Sequence, residues 1–334
     1  MKKLFIILLL PALLFIACND KNDPVPEYTT TTISMGTNQL QDVYYSFENG
    51  EVASVVRNDW DIEFSVPLQT AAIRINEGAG VQLFVYSNDT ADWETVDTTG
   101  FNWEAVYNDK ADWLNGAFNR NATGGFNFGW GTYDFMVSHT VWGEYIYIIR
   151  LSNHSYKKLF VRKRIGQTDT YELRWADFDG SNQKDVSFSP ADYSLKHFIQ
   201  YSLVNAGVSV AEPDMDAWDI VFTRYMIKIP VAPGVELDYP VMGVLLNQSH
   251  QGLAVTNVPP ENAGYTDNPD GFISDADVIG YEWKVSDPVT HEISLAENTS
   301  YFVQLSDGTI YQLYFTEYGG ETAGTLSIKT KLVE

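Results

Sequence analysis

The sequence predicts an all-β protein made of two tandem, antiparallel β-sandwich-like domains, and two observations carry that prediction. Apolar and polar residues alternate strictly in short runs along most of the chain, while windows with apolar residues at i, i+3, i+4 and i+7 are scarce. The second observation is a repeat. Tyr147-Ile148-Ile149-Arg150-Leu151-Ser152-Asn153 with Leu159-Phe160-Val161 is matched by Tyr301-Phe302-Val303-Gln304-Leu305-Ser306-Asp307 with Leu313-Tyr314-Phe315. Trp60-Asp61-Ile62-Glu63-Phe64 is matched by Trp218-Asp219-Ile220-Val221-Phe222, and Gly100-Phe101-Asn102-Trp103 by Gly280-Tyr281-Glu282-Trp283. Blocks that recur in one order imply two similar units.

From the N-terminus, Lys2 and Lys3 precede an apolar run from Leu4 to Ala17 that is too short and wrongly flanked for a mature membrane span, so residues 1–17 are expected to be a signal peptide. Phe15-Ile16-Ala17-Cys18 resembles a bacterial lipobox, whose Cys accepts a lipid after export. Cys18 is the chain's single Cys, and lipidation explains a lone thiol. Residues 18–32, polar and broken by Pro24 and Pro26, are expected to be a flexible tether. The start of that stretch, Asn19-Asp20-Lys21-Asn22-Asp23, resembles the acid-rich surface-export signals of Bacteroidetes lipoproteins.

The first domain is expected over residues 33–192. Val43 to Phe47 and Val52 to Val56 flank Asn49-Gly50, a dipeptide suited to a two-residue hairpin turn. Trp60, Ile62 and Phe64 then share one strand face, and Asp61 and Glu63 share the other, which is expected to be solvated. The second domain is expected over residues 193–334, opening at His197 to Tyr201 and closing with two strands around Asp307-Gly308.

Composition narrows the function. The net charge of −23 repels phosphate backbones and anionic lipid, so nucleic acid is excluded as a partner, and membrane contact is left to the lipid anchor alone. Without intramolecular disulfides, the fold must rest on apolar burial, for which 45% hydrophobic residues are ample.

The order of Trp-Asp-Ile strand, aromatic segment and terminal Tyr-x-x-x-x-Ser-Asn/Asp hairpin resembles the HmuY family of Bacteroidetes lipoproteins, present twice over roughly residues 40 to 332. The first copy departs from the pattern in carrying Asn153-His154 where the second has Asp307-Gly308, and in the aromatic stretch Gly124 to Tyr133. The resemblance implies an exported lipoprotein at the outer membrane, on the cell surface. For the founding members it implies haem capture between two axial side chains, and a receptor or other envelope partner would fit that role.

Haem ligation requires His or Met side chains facing an apolar slot. By location between the matched blocks, the candidates are His250 and His291, with Met242 as a further soft ligand; the first half offers Met136 and His139. His250 and His291 also read as residues of polar loops. Asp177, Asp179, Ser181 and Asp185 have calcium-loop spacing, but position 12 is Phe188, so an ordinary turn is expected and no metal site is assigned. The rings between Gly124 and Gly131 could stack on a sugar or a porphyrin, or pack across a strand end. No zinc-protease helix, nucleophile elbow or phosphate loop is present, so no catalytic residue is assigned and no enzyme is expected. The functional expectation is a surface-anchored protein that binds a ligand, haem first. The alternatives are a glycan-binding lipoprotein using Trp130 and Trp142, and a structural or adhesion component.

Overall fold

The computed structural model describes residues 27–67, 69–268, 270–287 and 290–333. The signal peptide, Cys18 and most of the tether lie outside the described residues. The chain is all-β, with 46% of residues in strands and only 8% in helices, and its sheets are antiparallel.

The terminal hairpin of each half has one register. In the first half Tyr147 faces Leu159 and Arg150 faces Tyr156; in the second, Tyr301 faces Leu313 and Gln304 faces Ile310. The turns agree as well. Leu151 N–H donates to Ser155 O and Leu305 N–H to Thr309 O, each at 2.8 Å. His154 and Gly308, which occupy the same turn position, both have positive φ, +67° and +93°. A β-bulge falls between Val161 and Lys163 in one copy and between Phe315 and Glu317 in the other.

The opening hairpins are exchanged between the halves. Strand Gln41–Ser46 pairs not with the nearby Trp-Asp-Ile strand but with Ile220–Ala232, Tyr45 opposite Ile220. Reciprocally, strand Phe198–Ser202 pairs with Ile62–Ser65, Tyr201 opposite Ile62. The sheets therefore do not divide the chain at residue 192. One core lies between a four-stranded sheet containing Ile62, Ile73 and Ile199 and a seven-stranded sheet containing Leu83, Tyr147 and Leu173. A second core joins Ile33, Val43 and Tyr45 to Ile220, Val244, Tyr301 and Ile328. Each core thus takes a hairpin from the other sequence repeat, since that hairpin carries the apolar face that each Trp-Asp-Ile strand needs as a neighbour.

Two further expectations are corrected. The tether expected through residue 32 is shorter: Thr29–Ser34 is a strand paired with the C-terminal strand Thr325–Leu332, Ile33 opposite Leu326. The Gly100 and Gly280 blocks play unlike parts: Gly280 pairs with Val244 and positions Trp283, 1% exposed and stacked on Phe315, whereas Trp103 is 45% exposed. Shared composition there does not reflect shared backbone position.

Candidate functional site

The carboxylates of the Trp-Asp-Ile strands, expected in water, are buried. Asp61 is 1% exposed and Glu63 6%. A strand covered on both faces leaves its polar side chains no solvent, so each must be satisfied internally. Asp61 accepts the Leu203 N–H at 2.7 Å, and Glu63 pairs with Arg74 Nε at 2.9 Å. Desolvation raises the pKa of both carboxyls above the ordinary range, against those partners. These acids anchor the exchanged hairpins.

The three proposed haem ligands stand in three different settings. His250 is buried, its Nε2 3.0 Å from Asp219 Oδ1 and its Nδ1 3.3 Å from Ser249 Oγ, so both ring nitrogens are engaged. Met242 is 4% exposed in the second core, facing Arg224 across the hairpin. His291 is exposed in a turn at φ +58°. Nothing brings them together around a slot. Polar flanking sequence suggested loops, but it could not show that Asp219 occupies the His250 ring.

The first half supplies a different arrangement. Strands Gly131–Asp134 and Thr140–Gly143 form a hairpin whose five-residue loop carries Met136 and His139. Ser138 and His139 have φ of +52° and +53°, and Thr140 N–H closes the turn on Val137 O at 3.1 Å. Such a primed turn ordinarily takes Asn-Gly, and each non-glycine in this region costs on the order of 1 kcal/mol. Gly166 holds the loop down: its N–H donates to His139 O at 3.0 Å, and a Cβ there would meet that oxygen at 2.5 Å.

Behind this loop lies a cavity of about 440 Å³ walled by Phe126, Phe128, Tyr133 and Val141, with His139 at its edge. Tyr133 Oη is 2.7 Å from His139 Nδ1, and the two ring planes lie 26° apart. That contact fixes the imidazole and leaves Nε2 as the free ring atom among the described residues. Met136, 76% exposed, lies on the same loop. Arg164 forms the polar floor. Its guanidinium is spent on Asp169 at 2.8 Å, on Tyr171 Oη and on the carbonyls of Val66, Pro67 and Thr70, so the floor offers little spare charge. The chemistry is an apolar aromatic slot with one imidazole in its lining and a methionine three residues earlier on the same loop.

No family model matches the chain, and no curated protein does. Among solved structures, the apo form of the HmuY analog of Tannerella forsythia aligns over 93% of this chain and 100% of its own, at 10% identity and a TM-score of 0.26. An HmuY-like protein from Bacteroides vulgatus aligns over 49% of this chain and 91% of its own, at 18% identity and a TM-score of 0.17. At such scores neither likeness bears on what this chain binds.

The remaining candidates resolve into structure. Asp177 and Asp179 accept from Ser181 and Asn182, while Asp185 pairs with Arg174 at 2.7 Å: a turn and a surface ion pair. No cluster of three metal-ligating side chains exists among the described residues. Trp130, proposed as a sugar platform, is fully buried and donates from Nε1 to Ala71 O at 2.8 Å. Trp142 is 42% exposed, with Lys163 over its ring. The sequence named Met136, His139 and the aromatic stretch; what it missed was that Phe126, Phe128 and Tyr133 converge on His139.

Proposed function

We propose that the chain captures a flat, largely apolar small molecule, haem first among candidates, in the cavity behind the Phe135–His139 loop, and that it performs no catalysis. One observation carries this reading: an imidazole held by Tyr133, with its Nε2 free, stands at the edge of an aromatic-walled cavity. Pockets of this size, apolar with a few placed polar groups, are the common form of small-molecule sites. Haem iron takes His or Met as axial ligands; His139 lines this cavity, and Met136, on the same loop, would be the second donor. The sequence resemblance to HmuY lipoproteins supports haem over other flat ligands. In the same reading the protein is exported, lipidated on Cys18 and held at the outer surface, where a membrane receptor would receive the ligand.

The test is a haemin titration of the mature protein followed in the Soret region. Binding at micromolar haemin is expected, weakened about tenfold or more by His139→Ala and untouched by His291→Ala. If a His139→Ala/Met136→Ala double variant keeps the parental spectrum and affinity, this site is wrong.

Glycan binding is favoured by one separate feature. Trp103 and Tyr156, 45% and 38% exposed, form a surface aromatic cluster with Phe101 over Phe84. Glycan-array signal lost in Trp103→Ala would move the reading there.

A further inference from the structure

We propose that a second cavity, about 310 Å³ and lined by the Glu77–Gln82 turn, Arg150 and Arg224, binds an oxyanion: the phosphate or carboxylate group of a small molecule. The chain carries 44 acidic residues against 21 basic ones, so an arginine is seldom far from a carboxylate. Seven of its arginines lie within 4.0 Å of one: Arg57, Arg74, Arg120, Arg162, Arg164, Arg174 and Arg224. Arg150 does not. Among the described residues its guanidinium meets Gln82 Oε1 at 3.3 Å and His154 Nδ1 at 2.5 Å, neither of them a carboxylate.

Arg224 is only partly compensated. Its Nη1 lies 3.1 Å from Glu321, a carboxylate 61% exposed, where such a pair is worth little. Its Nε is buried with no hydrogen-bond partner among the described residues. An unused guanidinium N–H carries the full penalty of desolvation, so this arginine is short of acceptors.

The one acid on the cavity wall points elsewhere. Glu77 accepts Met226 N–H at 3.0 Å and Asn108 N–H at 2.9 Å, so both oxygens are committed to backbone. Burial pushes its pKa up to about 7, which further weakens its competition with an incoming anion. The frame is rigid. A Cβ on Gly78 would fall 2.2 Å from Arg224 O, so only glycine lets this turn sit against the strand that carries Arg224. Arg150 ends the neighbouring strand Ile146–Arg150, and two guanidiniums thus share one concave site. Paired arginines match the fork geometry of phosphate and carboxylate.

The experiment is an amide NMR titration of the mature protein with inorganic phosphate and, separately, with succinate, ionic strength being held constant with chloride. Saturable shifts confined to residues 77–82 and the neighbourhoods of Arg150 and Arg224 are expected. Binding of one probe alone assigns the oxyanion class. Arg150→Gln should weaken binding about tenfold or more, and Arg150→Lys, which keeps the charge but loses the fork, severalfold. Arg162→Gln, a surface control, should bind as the parent does. Absence of saturable shifts with both probes overturns the proposal, as does equal weakening in Arg150→Gln and Arg162→Gln. Should Arg150→Gln not fold, Arg150→Lys decides alone: parental affinity there refutes the site. Haem binding plays no part in either outcome.

Discussion

Phe47 donates its backbone N–H to Asp219 Oδ2 at 2.6 Å, joining the first hairpin of the chain to a strand 172 residues later. Leu203 and Asp61 make the same contact at 2.7 Å. The agreement extends to the neighbouring bonds, Asp219 N–H to Tyr45 O and Asp61 N–H to Tyr201 O. Each Trp-Asp-Ile motif is therefore a clamp on a hairpin from the other repeat.

Removing either clamp leaves a buried N–H without an acceptor. Asp61→Ala and Asp219→Ala should each destabilise the protein by about 2–4 kcal/mol, read from urea midpoints, with the Asn variants recovering part of the loss. A loss below about 1 kcal/mol in both would show that the clamps are ornamental to stability.

The exchange also predicts where the chain can be divided. A fragment of residues 57–212 contains every strand around the first core and should melt cooperatively alone. A fragment of residues 33–192 lacks the strand Phe198–Ser202 and should not, until the complementary half is added. Cooperative melting of the isolated 33–192 fragment would contradict this.

Glu212 makes stability depend on pH. Burial pushes its carboxyl up to about 8, against the Phe198 N–H on Oε2 at 2.9 Å; its Oε1 has no hydrogen-bond partner among the described residues. The folded protein holds this proton where the unfolded chain has released it, so stability falls as pH rises from about 4.5 to about 8 and levels off above. Glu77, up at about 7, acts in the same sense. Lys284, brought down to about 7 by desolvation, acts oppositely as pH rises from about 7 towards 10.5. Glu212→Gln compared with the parent isolates the first effect: near parity at pH 5 and a relative gain on the order of a few kcal/mol at pH 9. Denaturant titrations at both pH values check it, and parallel curves would count against it.

Trp130 and Trp142 separate burial from display. Trp130→Ala removes a fully buried indole and should destabilise by about 3–5 kcal/mol, whereas Trp142→Ala should stay within about 1 kcal/mol. Calorimetric melting of the two variants distinguishes them; any glycan signal lost in Trp130→Ala would then reflect unfolding.

Much of the fold is legible in the sequence because strand faces and turns are local. Period-2 alternation marked Ile62 and Phe64 as core, and Asp307-Gly308 marked a reversal that the structure places there. The repeated hairpins share register because their matched residues meet matched partners. The site was less legible. His250 and His139 look alike in a string of letters, yet one is bound by Asp219 and the other holds a ring nitrogen free beside a cavity. Asp61 and Glu63 were assigned to solvent because alternation identifies two faces without saying what covers the second.

The sequence by itself determined the all-β class, the duplicated strand blocks, and the turn positions, each set by residues a few places apart. Tertiary structure alone decided which hairpin joins which core, because Val43 and Ile199 present interchangeable apolar faces and only packing chooses between them. It also decided which polar groups find partners. Whether Arg150 finds a carboxylate, or His139 a partner for each ring nitrogen, depends on which residues folding brings beside them, and that is a property of contact, not of order.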